Sequence, residues 1–377
     1  MTSMAGQQVA VSARRVTIHD IARACGVAPS TVSRALSRPG RISPETAARI
    51  NRAAESLGYR TAAPTPPATT SSSRRVVLLS IPDLTNPVFG EIARGAQETA
   101  MALDYTLQVA DSQESTQLER LGVERSLPGV DGLLLVSPRM SDSALRVIAQ
   151  SKPVVLLNRT VRGIPSIIID HSGGIHRAVQ HLRDLGHERL VFLAGPDNSW
   201  DSGMRWLALR QAAAELGVKV RRIGPNTPTL TGGLRAAAGV IDHHASAVIA
   251  FNDQMAAGLV RGLQQAGLSV PGDVSIVGFD NSIIAELVTP RLTSIAAPRR
   301  NQGAAGIRHL VGRITEDDTM INRDSTLPTR LTVRSSTAAR LDPSAARLTA
   351  VAAHRTSRQP SALTRSGPRD LAAVPAS

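Results

Sequence analysis

The sequence predicts an α/β protein in which a small helical domain at the N-terminus precedes a core of two subdomains with parallel sheets. Three observations support this prediction. Residues 17–60 contain three short helical patterns separated by Gly, Pro and Ser. Residues 61–73 are rich in Pro, Ser and Thr, a composition typical of a linker. From Val76 onward, short apolar runs alternate with amphipathic stretches, which indicates parallel strands covered by helices.

The N-terminal pattern has clear helix boundaries. Thr17 is a suitable cap for a first helix, and Gly26 can end that helix in the left-handed conformation. Pro29 fits the start of a second helix because no backbone N–H donor is needed there. A third helix is predicted between its cap, Ser43, and Gly58, where it stops. Since a short turn alone separates the first two helices, they form a helix-turn-helix, whose second helix enters the major groove of DNA.

The same segment carries a family resemblance. The residues concerned are Val16, Thr17, Ile18, Asp20, Ile21, Ala22, Gly26, Val27, Thr31, Val32, Ser33, Arg34, Ala35, Leu36, Leu57, Gly58 and Tyr59. In this order they resemble the N-terminal domain of the LacI/GalR family of bacterial transcriptional repressors. The resemblance implies that the second helix reads an operator in double-stranded DNA.

Six residues of the helix-turn-helix are candidate DNA contacts. They are Thr17, Pro29, Ser30, Thr31, Ser33 and Arg34. The resemblance places Pro29, Ser30 and Arg34 at the base edges. Arg34 can donate two hydrogen bonds to guanine, Ser30 can donate or accept, and the ring of Pro29 suits a thymine methyl group. The remaining three are better suited to phosphate contacts.

The distribution of charge agrees with a DNA-binding N-terminus. The net charge is +13, and residues 1–60 hold nine arginines against three acidic residues. Residues 61–339 are nearly neutral, with 28 basic and 25 acidic residues. A basic terminal domain on a nearly neutral body is typical of a phosphate-binding module attached to an effector domain.

The sequence lacks the features of secreted and membrane proteins, and this predicts its cellular location. Cys25 is the single cysteine, so no intramolecular disulfide can form, which fits a reducing compartment. Residues 1–15 have no apolar stretch long enough for a signal peptide. No segment approaches the roughly 20 apolar residues of a membrane span. We therefore expect a cytoplasmic, nucleoid-associated protein without a membrane partner.

Four regions are predicted along the chain. Residues 16–60 form the helix-turn-helix domain, 61–74 a linker, 75–340 the effector-binding and dimerisation core, and 341–377 a disordered tail. The family resemblance implies a hinge helix after the DNA-binding domain, with a leucine that enters the minor groove. Here the corresponding residues include Pro64, Pro66 and Pro67 and no leucine, so this segment departs from the family pattern and does not favour a hinge helix.

The core is predicted to contain two subdomains, because one compact sheet cannot hold all of its strands. The predicted strands are 76–81, 106–109, 133–136, 154–157, 167–170, 190–194, 248–251 and 275–279, with helices between most of them. Several segments also resemble the family and the related periplasmic sugar-binding proteins; these are 82–89, 130–133, 185–187, 194–196, 251–256 and 275–280. Residues 331–336 resemble the last strand. Ligands bind at the carboxyl ends of such strands, so a cleft between the subdomains is expected.

The resemblance assigns six effector contacts in this cleft. They are Phe89, Asn158, Asp201, Arg205, Asn252 and Asp280. An aromatic ring can stack on a sugar or base, and the fork of Arg205 can donate to vicinal hydroxyls or a carboxylate. The set suits a sugar or a related polyol or nucleoside. Each residue also has an ordinary structural interpretation, such as core packing for Phe89, an ion pair for Arg205 and a helix cap for Asp280.

These features predict a dimeric, ligand-responsive transcriptional repressor that reads a pseudo-palindromic operator. A sugar-type solute-binding protein without a DNA role is the alternative, and the N-terminal domain argues against it. An enzyme on the same scaffold is a third hypothesis, but no catalytic motif is recognisable. His171, His176 and His181 do not share a helical face, so no metal site is predicted, and no cofactor is expected.

Overall fold

The computed structural model describes residues 16–37, 42–57, 74–320 and 325–340. The chain divides into two units, residues 1–72 and residues 73–377. Except for Arg74, the predicted linker and the predicted tail lie outside the described residues, as does any hinge helix. The four domain limits given above therefore stay predictions.

The described residues of the N-terminal unit form three helices, as predicted. They are α1 (Ile18–Cys25), α2 (Pro29–Ser37) and α3 (Pro44–Ser56). Their contact is a small apolar core in which Ile21, Val32 and Ile50 are fully buried. Each helix contributes one of these residues, so the three helices hold one another in place although each is short.

The ends of α1 and α3 have the expected local chemistry. Both the backbone N–H and the hydroxyl of Thr17 donate to the Asp20 carboxylate, at 2.8 and 2.7 Å. Gly26 ends α1 with a φ of 61°, the left-handed conformation that glycine adopts without strain. At the start of α3, the backbone N–H of Thr46 donates to the Ser43 hydroxyl at 3.4 Å. These interactions satisfy backbone donors and acceptors at the helix ends.

The first subdomain of the core contains a six-stranded parallel sheet. Its first five strands are β1 (Val76–Ile81), β2 (Thr106–Asp111), β3 (Gly132–Val136), β4 (Val154–Leu157) and β5 (Ser166–Ile169). The helices between them are α4 (Pro87–Ala102), α5 (Thr116–Ser126) and α6 (Asp142–Ser151). Side chains of β3 and β4 are buried throughout, because helices cover both faces of the sheet.

The second subdomain repeats this arrangement. Its strands are β6 (Arg189–Leu193), β7 (Lys219–Ile223), β8 (Ala247–Ala250), β9 (Ser275–Asp280) and β10 (Thr293–Ala296). Its helices are α7 (His171–Asp184), α8 (Trp200–Leu216), α9 (Leu230–Asp242), α10 (Asp253–Gln265) and α11 (Ile283–Leu287). A separate apolar core lies on each face of the sheet. The two-subdomain prediction is confirmed.

The chain then returns to the first subdomain. Helix α12 (Arg299–Thr315) packs against α4, and β11 (Ser325–Leu327) extends the first sheet beside β5. Strand β12 (Arg330–Thr332) then completes the second sheet. The strand orders are β11-β5-β4-β3-β1-β2 and β12-β10-β9-β8-β6-β7. The chain thus passes between the subdomains three times.

Several elements differ from the sequence-based expectation. Strand β7, helix α9, strand β10 and helix α12 were not predicted. The predicted last strand, 331–336, ends earlier, at Thr332, and it pairs antiparallel to β10 in an otherwise parallel sheet. Beyond it, the Ser336 carbonyl accepts from the Ile276 N–H and the Ser336 hydroxyl donates to the Ile276 carbonyl, which satisfies polar groups at the start of β9, before its pairing with β10 begins.

Candidate functional site

The helix-turn-helix presents one polar face on α2. Val32 points into the small core and is fully buried, whereas Ser30, Ser33 and Arg34 are exposed. Pro29 and Thr31 are half-buried. This division follows from the helical period, because residues 30, 33 and 34 lie on the side opposite Val32.

All six candidate DNA contacts are therefore at least partly accessible at the surface of this unit. Thr17 is exposed immediately before α1, where its hydroxyl is held by Asp20. The turn between the helices is fixed by a hydrogen bond from the Val27 N–H to the Ala22 carbonyl at 3.0 Å. Contact with DNA remains a prediction for each of the six residues.

In the core unit, all six candidate effector contacts line one cavity, here called the cleft cavity. Its lining is Asn86, Val88, Phe89, Glu114, Ser137, Arg139, Asn158, Asp201, Arg205, Pro228, Phe251, Asn252, Asp280 and Arg299. Both subdomains contribute, mostly from the carboxyl ends of strands, where parallel sheets expose their binding residues. The cavity has a volume of about 30 Å³.

Asp201 joins the subdomains on one side of the cavity. It accepts from the Ser137 hydroxyl at 3.0 Å and contacts the Nε2 atom of His171 at 3.0 Å. Burial alone would raise the pKa of Asp201, but the interactions with His171 and the charges of Arg205 and Arg299 lower it to about 2. Burial lowers the pKa of His171. The arrangement is thus a carboxylate held by a neutral imidazole and a hydroxyl.

Asp280 is the carboxylate on the other side of the cavity. Its Oδ1 atom lies 2.5 Å from an Arg299 nitrogen and 3.6 Å from an Arg205 nitrogen. Arg205 also donates to the Phe251 carbonyl, and its guanidinium lies 4.6 Å from the Phe251 ring centre and 3.6 Å from that of Phe279. Two aromatic faces therefore stabilise this buried cation in addition to the carboxylate.

Asn158 connects the two sides. Its amide nitrogen donates to the Ser137 hydroxyl at 3.1 Å, and its Oδ1 atom accepts from Gln302 at 2.7 Å and from Arg299 at 3.2 Å. The backbone of Asn158 has a φ of 58°, a left-handed conformation that asparagine tolerates better than most residues. The amide is thus part of a network that reaches both Asp201 and Asp280.

Phe89 and Asn252 lie at the cavity but also have structural roles. Phe89 is buried in the apolar core of the first subdomain. Asn252 caps α10, since its Oδ1 atom accepts from the Met255 N–H at 2.9 Å and its nitrogen donates to the Pro228 carbonyl at 2.9 Å. Phe89 therefore packs in the apolar core, as its structural interpretation predicted. Asn252 also caps a helix.

Five charged or polar residues of the cavity were not predicted from the sequence as effector contacts. They are Asn86, Glu114, Ser137, Arg139 and Arg299. Arg139 pairs with Glu114 through two nitrogens, at 2.7 and 2.9 Å. Ser137 directly follows β3, so its position at the carboxyl end of a predicted strand was a usable signal. Arg299 offered no such signal, because the preceding strand β10 was not recognised.

One further buried carboxyl lies behind the cavity. Asp253, the first residue of α10, accepts hydrogen bonds from the Ser294 hydroxyl at 2.7 Å and from the Ser282 N–H at 2.7 Å. Burial and the nearby negative charge of Asp280 raise its pKa to about 7, although these hydrogen bonds act in the opposite direction.

Two structural features concern other classes of function. Among the helices that the structure describes, none has the length and apolar character needed to traverse a bilayer. Within the same residues, no group of three or more His, Cys, Asp or Glu side chains is arranged to hold a metal ion.

Fold and site together define a ligand-responsive, DNA-binding class of protein, and comparison with known proteins identifies the family. The family model for bacterial regulatory proteins, lacI family, matches residues 17–62. The model for a periplasmic binding protein-like domain matches residues 179–337. The HTH-type transcriptional regulator DegA of Bacillus subtilis is 30% identical over 337 residues, which cover 86% of this chain and 98% of DegA.

Two further proteins support the same assignment. The HTH-type transcriptional repressor CytR of Escherichia coli is 31% identical over 297 residues, covering 76% of this chain and 86% of CytR. A solved structure of the transcriptional regulator CelR–cellobiose complex is 29% identical with a TM-score of 0.62, covering 85% of this chain and all of that one. The chain belongs to the LacI family of bacterial regulatory proteins. It is a DNA-binding transcriptional regulator, and these relatives are named as regulators, not as enzymes.

Proposed function

We propose that this regulator is a repressor that binds a pseudo-palindromic operator as a homodimer and responds to a sugar-like effector in the cleft cavity. The observation that carries the proposal is the polar face of α2. Val32 is buried while Ser30 and Arg34 are exposed, on the second helix of a helix-turn-helix. A helix with this division can be held by its apolar side while its polar side enters the major groove.

The dimer follows from the small size of the reading surface. One α2 helix offers few base contacts, of which Arg34 is the strongest candidate because its guanidinium can donate twice to guanine. Two copies related by a twofold axis read two half-sites and so double the number of contacts. The operator is therefore expected to be a pseudo-palindrome with its half-sites about one helical turn apart.

The effector class follows from the cleft cavity. Carboxylates, amides and guanidinium groups converge there from both subdomains, and such groups bind hydroxyls. The similar regulator CelR was solved as a complex with cellobiose. We therefore assign a sugar or a related polyol or nucleoside to this cavity. The proposed place of action is the cytoplasm, at the nucleoid.

Regulation requires that the effector distinguish two states of the protein. The effector binds the DNA-binding state and the other state with different affinities. The ratio of these two affinities limits how far the effector can change the affinity of the protein for DNA. Both subdomains line the cavity, so the contacts of an effector depend on the distance between the subdomains. An effector can therefore favour a closed cleft over an open one.

The test is a DNA retardation experiment with wild type and Arg34→Met at one fixed salt concentration. Wild type is expected to prefer a fragment from its own promoter over random DNA. Loss of the two hydrogen bonds to guanine should cost about 1–3 kcal/mol, so Arg34→Met should lose roughly 5- to 150-fold of that preference. Adding a sugar effector should change the affinity of wild type for the promoter.

Arg52→Met is the matched control, because Arg52 is an exposed arginine on α3 and not on α2. It should weaken binding to both DNAs to a similar extent, if at all, since a phosphate contact carries no sequence information. Equal affinity of wild type for promoter and random DNA at matched salt would refute the proposed function.

A further inference from the structure

The Arg299 side chain lies where the two subdomains face each other. Arg299 is the first residue of α12, which packs on the first subdomain, yet its guanidinium contacts Asp280 at the end of β9 in the second. The nitrogen on Asp280 is 2.5 Å from Oδ1, and the other terminal nitrogen lies 3.2 Å from Oδ1 of Asn158 and 3.2 Å from Oε1 of Gln302. One side chain thus links both sides of the cleft.

Arg299 also restricts the space in the cleft. It is 6% exposed and forms part of the wall of the cleft cavity, whose volume of about 30 Å³ suffices for one or two water molecules. Ligand pockets typically measure roughly 300–1,000 Å³. A sugar therefore cannot enter while Arg299 stays in this position and the subdomains keep this separation.

A second, larger space lies on the outer side of Arg299. This outer chamber has a volume of about 470 Å³, and its lining includes Glu91, Asn281, Glu286 and Arg299 itself. Glu91 is exposed on α4, and its carboxylate is an acceptor for a guanidinium that turns outward. Arg299 and Asp280 line both spaces, so a rotation of the Arg299 side chain leads from the cleft cavity into a chamber that also contains the Glu91 carboxylate.

We propose that Arg299 is a gate residue that occupies the effector position and holds the subdomains together, so that an effector binds only when Arg299 moves out into the outer chamber. This inference rests on the proposed function, since it concerns the same cleft cavity. Arg299 thus determines which ligands can enter the cavity, and it is not one of the six candidate contacts.

The chemistry of the inner position defines the ligand that can replace Arg299. Departure of the guanidinium removes a donor from oxygens of Asp280, Asn158 and Gln302. The Asn158 oxygen keeps the Gln302 amide as a donor and Asp280 keeps Arg205 at 3.6 Å, so the oxygens of Asp280 and Gln302 are the ones that need a new donor. Buried acceptors must be satisfied by donors, so the entering ligand must present several O–H or N–H groups to them. A neutral sugar with adjacent hydroxyls meets this requirement. An acidic group facing Asp280 does not, because two carboxylates would be in contact.

The inner position is also incompletely satisfied, which favours exchange. The Nε atom of Arg299 is buried and has no hydrogen-bond partner among the described residues, and the same holds for Nε of Arg205. A buried donor without an acceptor is unfavourable, because it has lost its hydrogen bonds to water. The unpaired Nε atom therefore offsets part of the stabilisation that Arg299 gains from its contact with Asp280. A ligand that supplies acceptors as well as donors can displace Arg299.

The experiment compares wild type, Arg299→Met and the control Arg308→Met in the full-length protein. Arg308 is an exposed arginine on the same helix. Arg308→Met therefore removes one positive charge, as Arg299→Met does, but outside the cleft. Amide hydrogen exchange without ligand is measured at residues 137–140, 156–159 and 280–282. Arg299→Met should exchange at least tenfold faster there than wild type, because the link across the cleft is lost, whereas Arg308→Met should match wild type.

Ligand response provides the second measurement. Melting temperatures are recorded with cellobiose, D-glucose and D-ribose and with D-glucuronate as the acidic counterpart. For a neutral sugar, Arg299→Met should give at least twice the stabilising shift of wild type, since no gate has to be displaced. D-Glucuronate should give a smaller shift than D-glucose.

Unchanged exchange at the cleft in Arg299→Met overturns the proposal, whatever the sugars do. A smaller sugar response in this variant than in wild type also overturns it, because Arg299 would then be a ligand contact. If the methionine variant does not fold, Arg299→Lys replaces it; a lysine can bind Asp280 but cannot bridge to Asn158 with a planar fork, so intermediate exchange is expected. Failure of the proposed function is seen separately, as the absence of promoter preference in wild type.

Discussion

At the scale of single residues, Asp280 is a buried carboxylate that contacts two cations. It faces two buried guanidinium groups, those of Arg205 and Arg299. Its backbone φ of 101° is unusual for a residue with a side chain. Such a conformation persists where the surroundings hold it, and it often accompanies functional sites. Here the two arginines and the end of β9 hold the carboxylate in place.

Asp280→Asn should strongly destabilise the protein. The asparagine amide is nearly the same size as the carboxylate but carries no negative charge. The positive charges of two buried arginines then lack their counter-charge. Breaking a buried ion pair from one side costs about 3–5 kcal/mol. Urea unfolding should show this loss relative to wild type.

Asp197→Asn is the control for this prediction. Asp197 also pairs with an arginine, Arg222, at 2.7 Å, but the Asp197 side chain is 62% exposed. Solvent screens such a pair, so the variant should lose less than about 1 kcal/mol. Comparable losses in both variants would contradict the claim that burial determines the effect.

At the scale of elements, the position of Arg299 depends on how closely α12 approaches α4. Gly95 of α4 and Gly303 of α12 allow this approach. A Cβ atom on Gly95 would lie 1.9 Å from the Arg300 carbonyl oxygen, and one on Gly303 would lie 2.0 Å from that of Ile92. The helix backbones are therefore in direct contact, and this contact sets the point from which Arg299 enters the cleft.

Gly95→Ala should separate the two helices and destabilise the protein. The added methyl group meets backbone atoms that cannot move independently, and overpacking of this kind costs about 1–3 kcal/mol. Thermal or urea unfolding measures the change.

Gly90→Ala on the same helix is the control. A Cβ atom there has no neighbour within 4 Å. Replacing glycine by alanine in an open helical position should stabilise the protein by about 0.5–1 kcal/mol. Opposite signs for the two variants are expected; a stabilising Gly95→Ala would contradict close contact between α4 and α12.

Two of the elements that were not predicted from the sequence, β7 and α9, have residues that locally disfavour the structure they adopt. Strand β7 consists of Lys219, Val220, Arg221, Arg222 and Ile223, and it lies at a sheet edge where charged side chains remain exposed. It therefore lacks the apolar pattern of a buried strand. Helix α9 contains Gly232 and Gly233, which lower helix propensity, but Gly233 is required because a Cβ atom would lie 2.0 Å from the Met255 carbonyl. Tertiary packing outweighed local preference in both elements.

At the scale of the whole molecule, proton binding at one carboxyl affects global stability. Asp253 has a pKa of about 7 in the folded protein, against an ordinary value of 3.8. The folded state thus binds this proton more tightly than the unfolded state. The resulting stability is fully present below about pH 4 and is lost as the pH rises through about 7.

Asp253→Asn should remove this pH dependence, because asparagine does not titrate. Between pH 5 and pH 8, wild type should lose free energy of unfolding relative to the variant, as measured by urea unfolding at each pH. Asp242→Asn changes an exposed aspartate at the end of α9 and should leave the wild-type profile unaltered. Parallel profiles for wild type and Asp253→Asn would refute the raised pKa.

The cleft is also a property of the whole molecule, since its residues are distant in sequence. Ser137 and Asp201 are 64 positions apart, and Asn158 and Arg299 are 141 apart. The three passages of the chain between the subdomains bring them together. No local pattern contains this information. The family resemblance named six residues that line the cavity, but it did not name Arg299.

The amino-acid sequence by itself determined the helix-turn-helix, the alternation of strands and helices and the family, because capping residues, helical periods and buried strands are local signals. It also placed candidate groups at the carboxyl ends of several strands. Tertiary structure alone decided that α12 returns to the first subdomain and that Arg299 fills the cleft. A buried guanidinium depends on partners that distant segments supply, and these partners are fixed only when the whole core packs.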